Sequence, residues 1–336
     1  MDPATTRQVV LLSRPDDVPR AEHFEIRETP VPDLAEGQLL VRTEYLSVDP
    51  AMRGWVSAVA NYAEPVGIGE VMRSLAVGEV LASRHPAHQV GDVVMGMFGW
   101  QEHAVVDATA VWLTVVDDDL PHSLALGVLG LNGLTAWAGV HRVLRPRAGS
   151  TVVVSTAAGA VGSIVGQLAS RMGCRTVGIA GGPGKAARCV EEFGYDVGID
   201  YRAADFQEQL AAATPEGVDH YFDNTSGPIT DAVLARLAPR SSVLVCGTAA
   251  ITSWDPWPTG PRVERIVLTR RARIEGFLAF DHLDVLEEAV GELADLVRSG
   301  RLAHREHVLD GLEHAPGAIA MLYEGSNEGK LVVRLP

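Results

Sequence analysis

From the N-terminus to about Asp107 the chain consists of short apolar or alternating runs, QVVLLS, FEIRE, QLLVRTEYLSV, VGEVLAS, DVVMGMFG and EHAVV, each bounded by turn-forming residues. Runs of this length and composition predict strands, and their close succession predicts a compact β-barrel. The stretch from Arg53 to Ser74 breaks the rhythm. It is rich in Gly, Ala and aromatic residues without a clear period, and is expected to be a functional loop.

Beyond Ser150 strands alternate with helices, which predicts a doubly wound parallel sheet covered on both faces. Thr151 to Ser155 forms the first buried strand; Val161, Ile164, Val165, Leu168, Ala169 and Met172 then recur at helical spacing, and Gly173 supplies the stop. Further strands are expected over 175–179, 197–201, 218–222 and 242–246, with a sixth beginning near Arg273. Helices are expected over 183–193, 205–213 and 228–237. In the tail the pattern gives helices over 285–298 and 315–323 and a final strand over 330–335.

At 336 residues the chain exceeds the size at which one hydrophobic core stops growing, so two domains are expected. Its net charge of -15 argues against a nucleic-acid partner, and obliges any anionic cofactor to find a local positive pocket. No run reaches the roughly 20 apolar residues that span a bilayer, and MDPATTRQVV lacks the apolar core of a signal peptide. A cytoplasmic protein without membrane partners is therefore expected. Cys174, Cys189 and Cys246 lack the paired spacing of a zinc site, and three cysteines form no disulfide framework. They read as small buried residues. His23, His85, His88 and His103 stand mostly beside polar turn residues and read as surface histidines rather than metal ligands.

The most informative stretch is VVVSTAAGAVGSIVGQLASRMG, where Gly159, Gly162 and Gly166 fall at a strand-to-helix turn and along the first turns of the helix. Small residues there, with the backbone around Ala158, Gly159, Ala160 and Val161, let a pyrophosphate approach exposed amides and the positive end of the helix dipole. The first position of the G-x-G-x-x-G pattern is Ala157, so the match is incomplete. The second strand ends in GIAGGPGK, with no Asp or Glu where an NAD-selective fold holds the ribose 2′-hydroxyl. Gly181 and Gly182 leave space, Lys185 is positioned to meet a 2′-phosphate, and NADP(H) is expected over NAD(H). Tyr201 reads equally as a companion to Lys185 or as a core tyrosine. Asn224 in DNTSG and Cys246, Gly247 and Thr248 in CGT sit at carboxyl ends of strands, where the nicotinamide ribose is expected. Asp223 is expected to orient its turn or cap the next helix.

This segment resembles the cofactor region of the prostaglandin and 2-alkenal double-bond reductases in the zinc-free medium-chain dehydrogenase/reductase superfamily. The resemblance extends through LSVDPAMRGW, NYAEPVGIGEVMR, GWQEHAVVD, LGVLGLNGLTAW, YFDNTSGPITDAVLARL, GPRVERIVLTRRARIEGFLAF and GLEHAPGAIAMLYEGSNEGKLVV, nearly the whole chain. It implies a GroES-like catalytic domain over 1–125, completed by 303–336, and an NADP-binding Rossmann domain over 126–302. It also implies a homodimer. By the same resemblance Thr135 holds the nicotinamide amide, the backbone of Phe277, Leu278 and Phe280 lines the ring, and Asn327 closes over the cofactor; without the family, Asn327 reads as a turn residue. The implied chemistry is hydride delivery from NADPH to the β-carbon of a small hydrophobic enone or enal, followed by protonation of the enolate, with no metal.

Two departures bear on the substrate. Family members commonly carry VDPYMR, and this chain has Ala51; a second pocket tyrosine usually follows the CG turn, where Thr252 stands here. Either the ribose hydroxyl and ordered water suffice, or Tyr62 and Thr252 take over as catalytic groups, or the substrate differs. Trp55, Trp254 and Trp257 read either as apolar pocket walls or as interface residues, and Arg53 as a carboxylate ligand or, preferably, a structural pair within the barrel. The alternatives are an NADPH quinone reductase and a cofactor-binding protein that has lost its reductase activity.

Overall fold

The structure, a computed structural model, describes residues 3–58, 62–115, 119–251 and 256–336. Thr252 and Trp254 lie outside the described residues. The chain divides into two compact units, one of Met1–Gly127 with Glu306–Pro336 and one of Val128–Arg305.

The first unit begins with β1 (Thr5–Leu11) and β2 (Phe24–Pro30), which pair antiparallel with Val9 opposite Ile26. These two runs form their own ribbon, tied to the rest of the unit by isolated bridges such as Val10 to Val71 and by hydrogen bonds between Thr6 and His103 of β6. β3 (Gln38–Val48) is long, and α1 (Ala51–Trp55) follows immediately after Pro50. β4 (Ala76–Ser83), β5 (Val93–Gly96), β6 (His103–Asp107) and β7 (Val111–Val115) complete the N-terminal part. Proline is tolerated at a helix start because it has no amide hydrogen to leave unpaired. That explains how a helical turn opens a stretch expected to be wholly irregular.

The second unit starts with α2 (Leu131–Ala138) and continues as strand-helix repeats: β8 (Thr151–Ser155), α3 (Gly162–Arg171), β9 (Arg175–Ala180), α4 (Pro183–Glu191), β10 (Val197–Asp200) and α5 (Phe206–Ala213). β11 (Val218–Asp223), α6 (Gly227–Leu234), β12 (Leu237–Val245), α7 (Glu264–Arg270), β13 (Arg273–Gly276) and α8 (Leu286–Arg298) follow. The strands form a parallel sheet in the order β10-β9-β8-β11-β12-β13. The order reverses direction between β8 and β11, and ligands of open α/β sheets bind at the carboxyl ends of strands at such a point. Every residue of β8 is buried, and Val153, Val177, Ile179, Tyr221 and Val243 belong to one apolar core.

The chain then returns to the first unit with β14 (Glu306–Asp310), α9 (Ala315–Glu324) and β15 (Lys330–Arg334). β15 lies between β14 and the second half of β3, while the first half of β3 pairs with β6. Lys330, 3% exposed, donates to Ser47 Oγ at 2.7 Å, Val48 O at 3.0 Å and Asp49 Oδ1 at 2.7 Å. A buried ammonium is tolerated only when paired and hydrogen-bonded in this way.

Candidate active site

The phosphate-binding turn is built around a residue that is not glycine. Thr156, just after β8, has φ +53°, a left-handed conformation that a β-branched side chain rarely adopts. Ala157, expected at the first glycine position, is fully buried and donates its amide to Ile179 O at 3.0 Å. Thr156 instead turns the chain, and the two following glycines make room for it. A Cβ on Gly159 would stand 2.9 Å from Thr156 Cγ2, and one on Gly162 would stand 2.8 Å from Ala157 Cα. The amides of Ala160 and Val161, at the entry to α3, have no backbone acceptor among the described residues. They are the open donors that a phosphate at a helix N-terminus uses.

Gly166 answers to a different neighbour. Its Cβ would fall 2.5 Å from the hydroxyl of Tyr195, a buried ring whose hydroxyl donates to Gly162 O at 2.6 Å. Burial, with Cys189 nearby, raises the Tyr195 pKa well above the ordinary tyrosine value, so it remains a donor. Tyr195 therefore seats α3 against the sheet. No local pattern in the sequence marks it.

At the end of β9, Gly182 adopts φ +91° and opens α4, which carries Lys185 in its first turn. A Cβ on Gly181 would lie 3.1 Å from the Tyr201 ring, so glycine lets the ring pack closely there. Tyr201 is 39% exposed, which resolves the two readings in favour of a surface residue beside this turn rather than a core tyrosine. The end of β9 itself carries no acid, as expected, but the adjacent strand supplies one. Asp200 Oδ1 accepts from Gly182 N at 2.7 Å and from Arg202 N at 2.9 Å.

On the other side of the switch point, Asp223 is buried and organises its turn as expected. Its Oδ1 accepts from the amides of Thr225 and Ser226 at 2.9 Å each and from the Tyr221 hydroxyl at 3.0 Å, while Thr230 donates to Oδ2 at 2.7 Å. Asn224 donates its side-chain amide to Ser155 O at 2.7 Å, so that nitrogen is engaged within the turn. Cys246 and Gly247 donate their amides to Asp223 O, and a Cβ on Gly247 would be 2.8 Å from Asn224 O. The ends of β11 and β12 are thereby interlocked, with Thr248 following. Burial and the neighbouring Asp223 push the Cys246 thiol up to about 12, which rules against a thiolate nucleophile. Thr135 on α2 is buried and donates to Leu131 O at 2.6 Å, leaving its oxygen lone pairs available to accept. Phe277 donates its amide to Val245 O at 3.0 Å and stacks on His282, with Leu278 and Phe280 next along the chain.

In the first unit the structure places Ala51, Arg53 and Trp55 together on α1. Ala51 and Trp55 are one helical turn apart, and Trp55 is buried with the Arg73 guanidinium 5.8 Å from its ring. Arg53 stacks 5.3 Å over Tyr323, whose hydroxyl donates to Pro50 O at 2.9 Å, in keeping with a structural pairing. Tyr62 and Trp257 are exposed. Asn327 folds back on its own turn, donating to Gly329 O at 2.9 Å. His23, His85, His88 and His103 are all half-buried rather than on the surface, and desolvation lowers the His103 pKa. Among the described residues no group of three or more His, Cys, Asp or Glu side chains could hold a metal ion, and no helix is long and apolar enough to cross a membrane.

These features describe a dinucleotide-binding oxidoreductase, and comparison with known proteins agrees. Residues 7–114 match a family described as the N-terminal domain of oxidoreductase, and residues 160–295 match one described as zinc-binding dehydrogenase. The chain is 40% identical to the NADPH-dependent curcumin reductase of Escherichia coli over 98% of its length and 96% of that protein's. It is 35% identical to the NADP-dependent 2-alkenal reductase of Nicotiana tabacum over 98% of its length and 97% of that enzyme's. The solved structure of CurA in complex with NADPH from Vibrio vulnificus superposes with a TM-score of 0.91 at 40% identity, covering 98% of this chain and 99% of that one. The chain belongs to the medium-chain dehydrogenase/reductase superfamily, among relatives that include curcumin, 2-alkenal and prostaglandin reductases.

Proposed function

We propose that the chain is an NADPH-dependent reductase of activated carbon-carbon double bonds, acting on small hydrophobic enones and 2-alkenals. The observation that carries this reading is the turn after β8, where Gly159 and Gly162 let the chain fold tightly around Thr156 and Ala157 and the amides of Ala160 and Val161 have no backbone acceptor among the described residues. In this reading residues 126–302 bind the cofactor, and residues 1–125 with 303–336 form the catalytic domain. Bound NADPH supplies the hydride for the β-carbon.

The protein's part is to bind, orient and shield. The amides of Ala160 and Val161 and the dipole of α3 hold the pyrophosphate, with Ala158 and Gly159 forming the floor. Lys185 and Tyr201 meet the 2′-phosphate beside Gly181. Asn224, Cys246, Gly247 and Thr248 border the nicotinamide ribose, the Thr135 oxygen accepts from the carboxamide, and Phe277, Leu278 and Phe280 line the ring. Asn327 turns outward to close over the cofactor. Ala51, Arg53, Trp55 and Trp254 shape the substrate pocket. Tyr62 and Thr252 supply polar hydrogens to the carbonyl oxygen, where a positioned donor contributes several kcal/mol to the transition state.

The chain works as a homodimer in this reading. Among the described residues β13 ends its sheet, with Ile274 39% exposed and Leu268 on α7 76% exposed, and this supports it, since open edges and exposed apolar side chains favour pairing.

The test is NADPH oxidation by the purified protein with a short 2-alkenal, a long-chain enone, a chalcone and a quinone. Turnover of one or more alkenes with recovery of the saturated carbonyl is expected. Quinone turnover alone, or no turnover despite NADPH binding, refutes the assignment.

A further inference from the structure

We propose that Arg202 is a second cation at the site that distinguishes NADPH from NADH, acting beside Lys185; this rests on the cofactor assignment above. Nothing in the local sequence pattern singles it out. The sheet register does. β10 pairs with β9 so that Asp200 lies opposite Ala180, and Tyr201 donates its amide to Ala180 O at 3.1 Å. The next residue, Arg202, thus leaves the sheet alongside Gly181 and Gly182, at the mouth of the turn that opens α4.

Its main chain is fixed there, since Arg202 N and Gly182 N donate to the same oxygen of Asp200. Its side chain is exposed and lies over Tyr201, with the guanidinium carbon 5.6 Å from the ring centroid. That ring in turn covers Gly181, whose missing Cβ leaves it the space. Among the described residues the Arg202 guanidinium makes no ion pair, whereas Arg7, Arg42 and Arg334 each have a carboxylate partner. In a chain of net charge -15, an uncommitted guanidinium beside this turn is a local positive potential.

The chemistry fits a phosphate monoester. A guanidinium offers a planar fork of donors that a phosphate accepts bidentately, and stacking on an aromatic face leaves that fork free at its edge. Asp200 makes the arrangement directional. A carboxylate beside an adenosine ribose suits a 2′-hydroxyl and opposes a 2′-phosphate. Arg202 offsets that repulsion, so its loss should move preference toward NADH.

The experiment measures NADPH and NADH dissociation constants by calorimetry for wild type, Arg202→Ala, Arg202→Lys and Lys185→Ala. Arg202→Ala is expected to weaken NADPH about tenfold while leaving NADH within about twofold, and Arg202→Lys to recover part of the loss. The NADPH affinity of Arg202→Ala should also fall less steeply with added salt. A wild-type preference for NADPH that survives Arg202→Ala unchanged overturns this inference alone. A wild type that prefers neither cofactor overturns both this inference and the cofactor assignment. Unchanged thermal unfolding of Arg202→Ala, expected for an exposed side chain, separates a binding defect from misfolding.

Discussion

Replacing Gly166 with alanine tests whether α3 is seated by Tyr195. The new methyl would stand 2.5 Å from the Tyr195 hydroxyl oxygen, well inside the roughly 3.5–4.0 Å at which non-bonded heavy atoms rest. Tyr195 is 2% exposed and holds Gly162 O, so it has little room to withdraw. Overpacking of this kind costs about 1–3 kcal/mol, and weakening the Tyr195 hydrogen bond adds about 1 kcal/mol. Alanine returns about 1 kcal/mol through its better helix propensity. The net expectation is a loss of roughly 1–3 kcal/mol. For a unit of this size each kcal/mol lowers Tm by about 2–4 °C. Thermal unfolding of Gly166→Ala, Tyr195→Leu and the double variant forms the assay. The double variant should be more stable than the sum of the single effects predicts, by about 1 kcal/mol or more, because the smaller side chain makes room for the methyl. If Gly166→Ala is neutral or stabilising, or if the two changes add, Tyr195 does not dictate glycine at this position.

The same substitution at Gly291, in the middle of α8 with nothing within 4 Å of its hypothetical Cβ, should have the opposite sign. There Gly291→Ala should stabilise by about 0.5–1 kcal/mol, read as a higher urea midpoint. Lys185→Ala should weaken NADPH binding at least several-fold more than NADH binding, since only NADPH carries the extra phosphate; equal losses in a titration would contradict the role. His103, His141 and His220 all have pKa values lowered from 6.5 by desolvation. The unfolded chain therefore takes up protons first on acidification, so this contribution to stability is intact above about pH 6.5 and is lost as pH falls below it. Urea unfolding between about pH 7 and 5 should show that decline, with a shallower slope for His141→Asn. His141 Nε2 is enclosed without a partner among the described residues, so charging it in place is especially unfavourable.

The parallel sheet and the position of its glycine turn were legible because β8 centres on three consecutive valines and α3 follows with a helical period. The detail of that turn was not. The eye goes to Ala157 because glycine normally supplies the left-handed residue, whereas here Thr156 does so and the neighbouring glycines absorb its bulk. Strands β7 and β14 contain no buried residue, and none of the seven residues of α7 is buried, so no core-facing periodicity marks these three elements in the sequence. β12 begins at Leu237 rather than 242, and Arg240 at φ +65° interrupts the run that would have announced it. No local motif marks Tyr195 or Arg202 because their roles arise from long-range register: a ring under a glycine on another element, and a side chain two residues past a strand pair.

β15 lies inside its sheet, hydrogen-bonded on one side to β14 and on the other to β3, and Lys330 reaches back 281 residues to Asp49. On a ribosome adding about 5–20 residues per second, the second half of β3 therefore waits on the order of tens of seconds for its neighbour. During that interval the strand has an open flank and Asp49 lacks its ammonium partner. The intervening parallel-sheet unit is free to mature first, so the segment made earliest is among the last to settle.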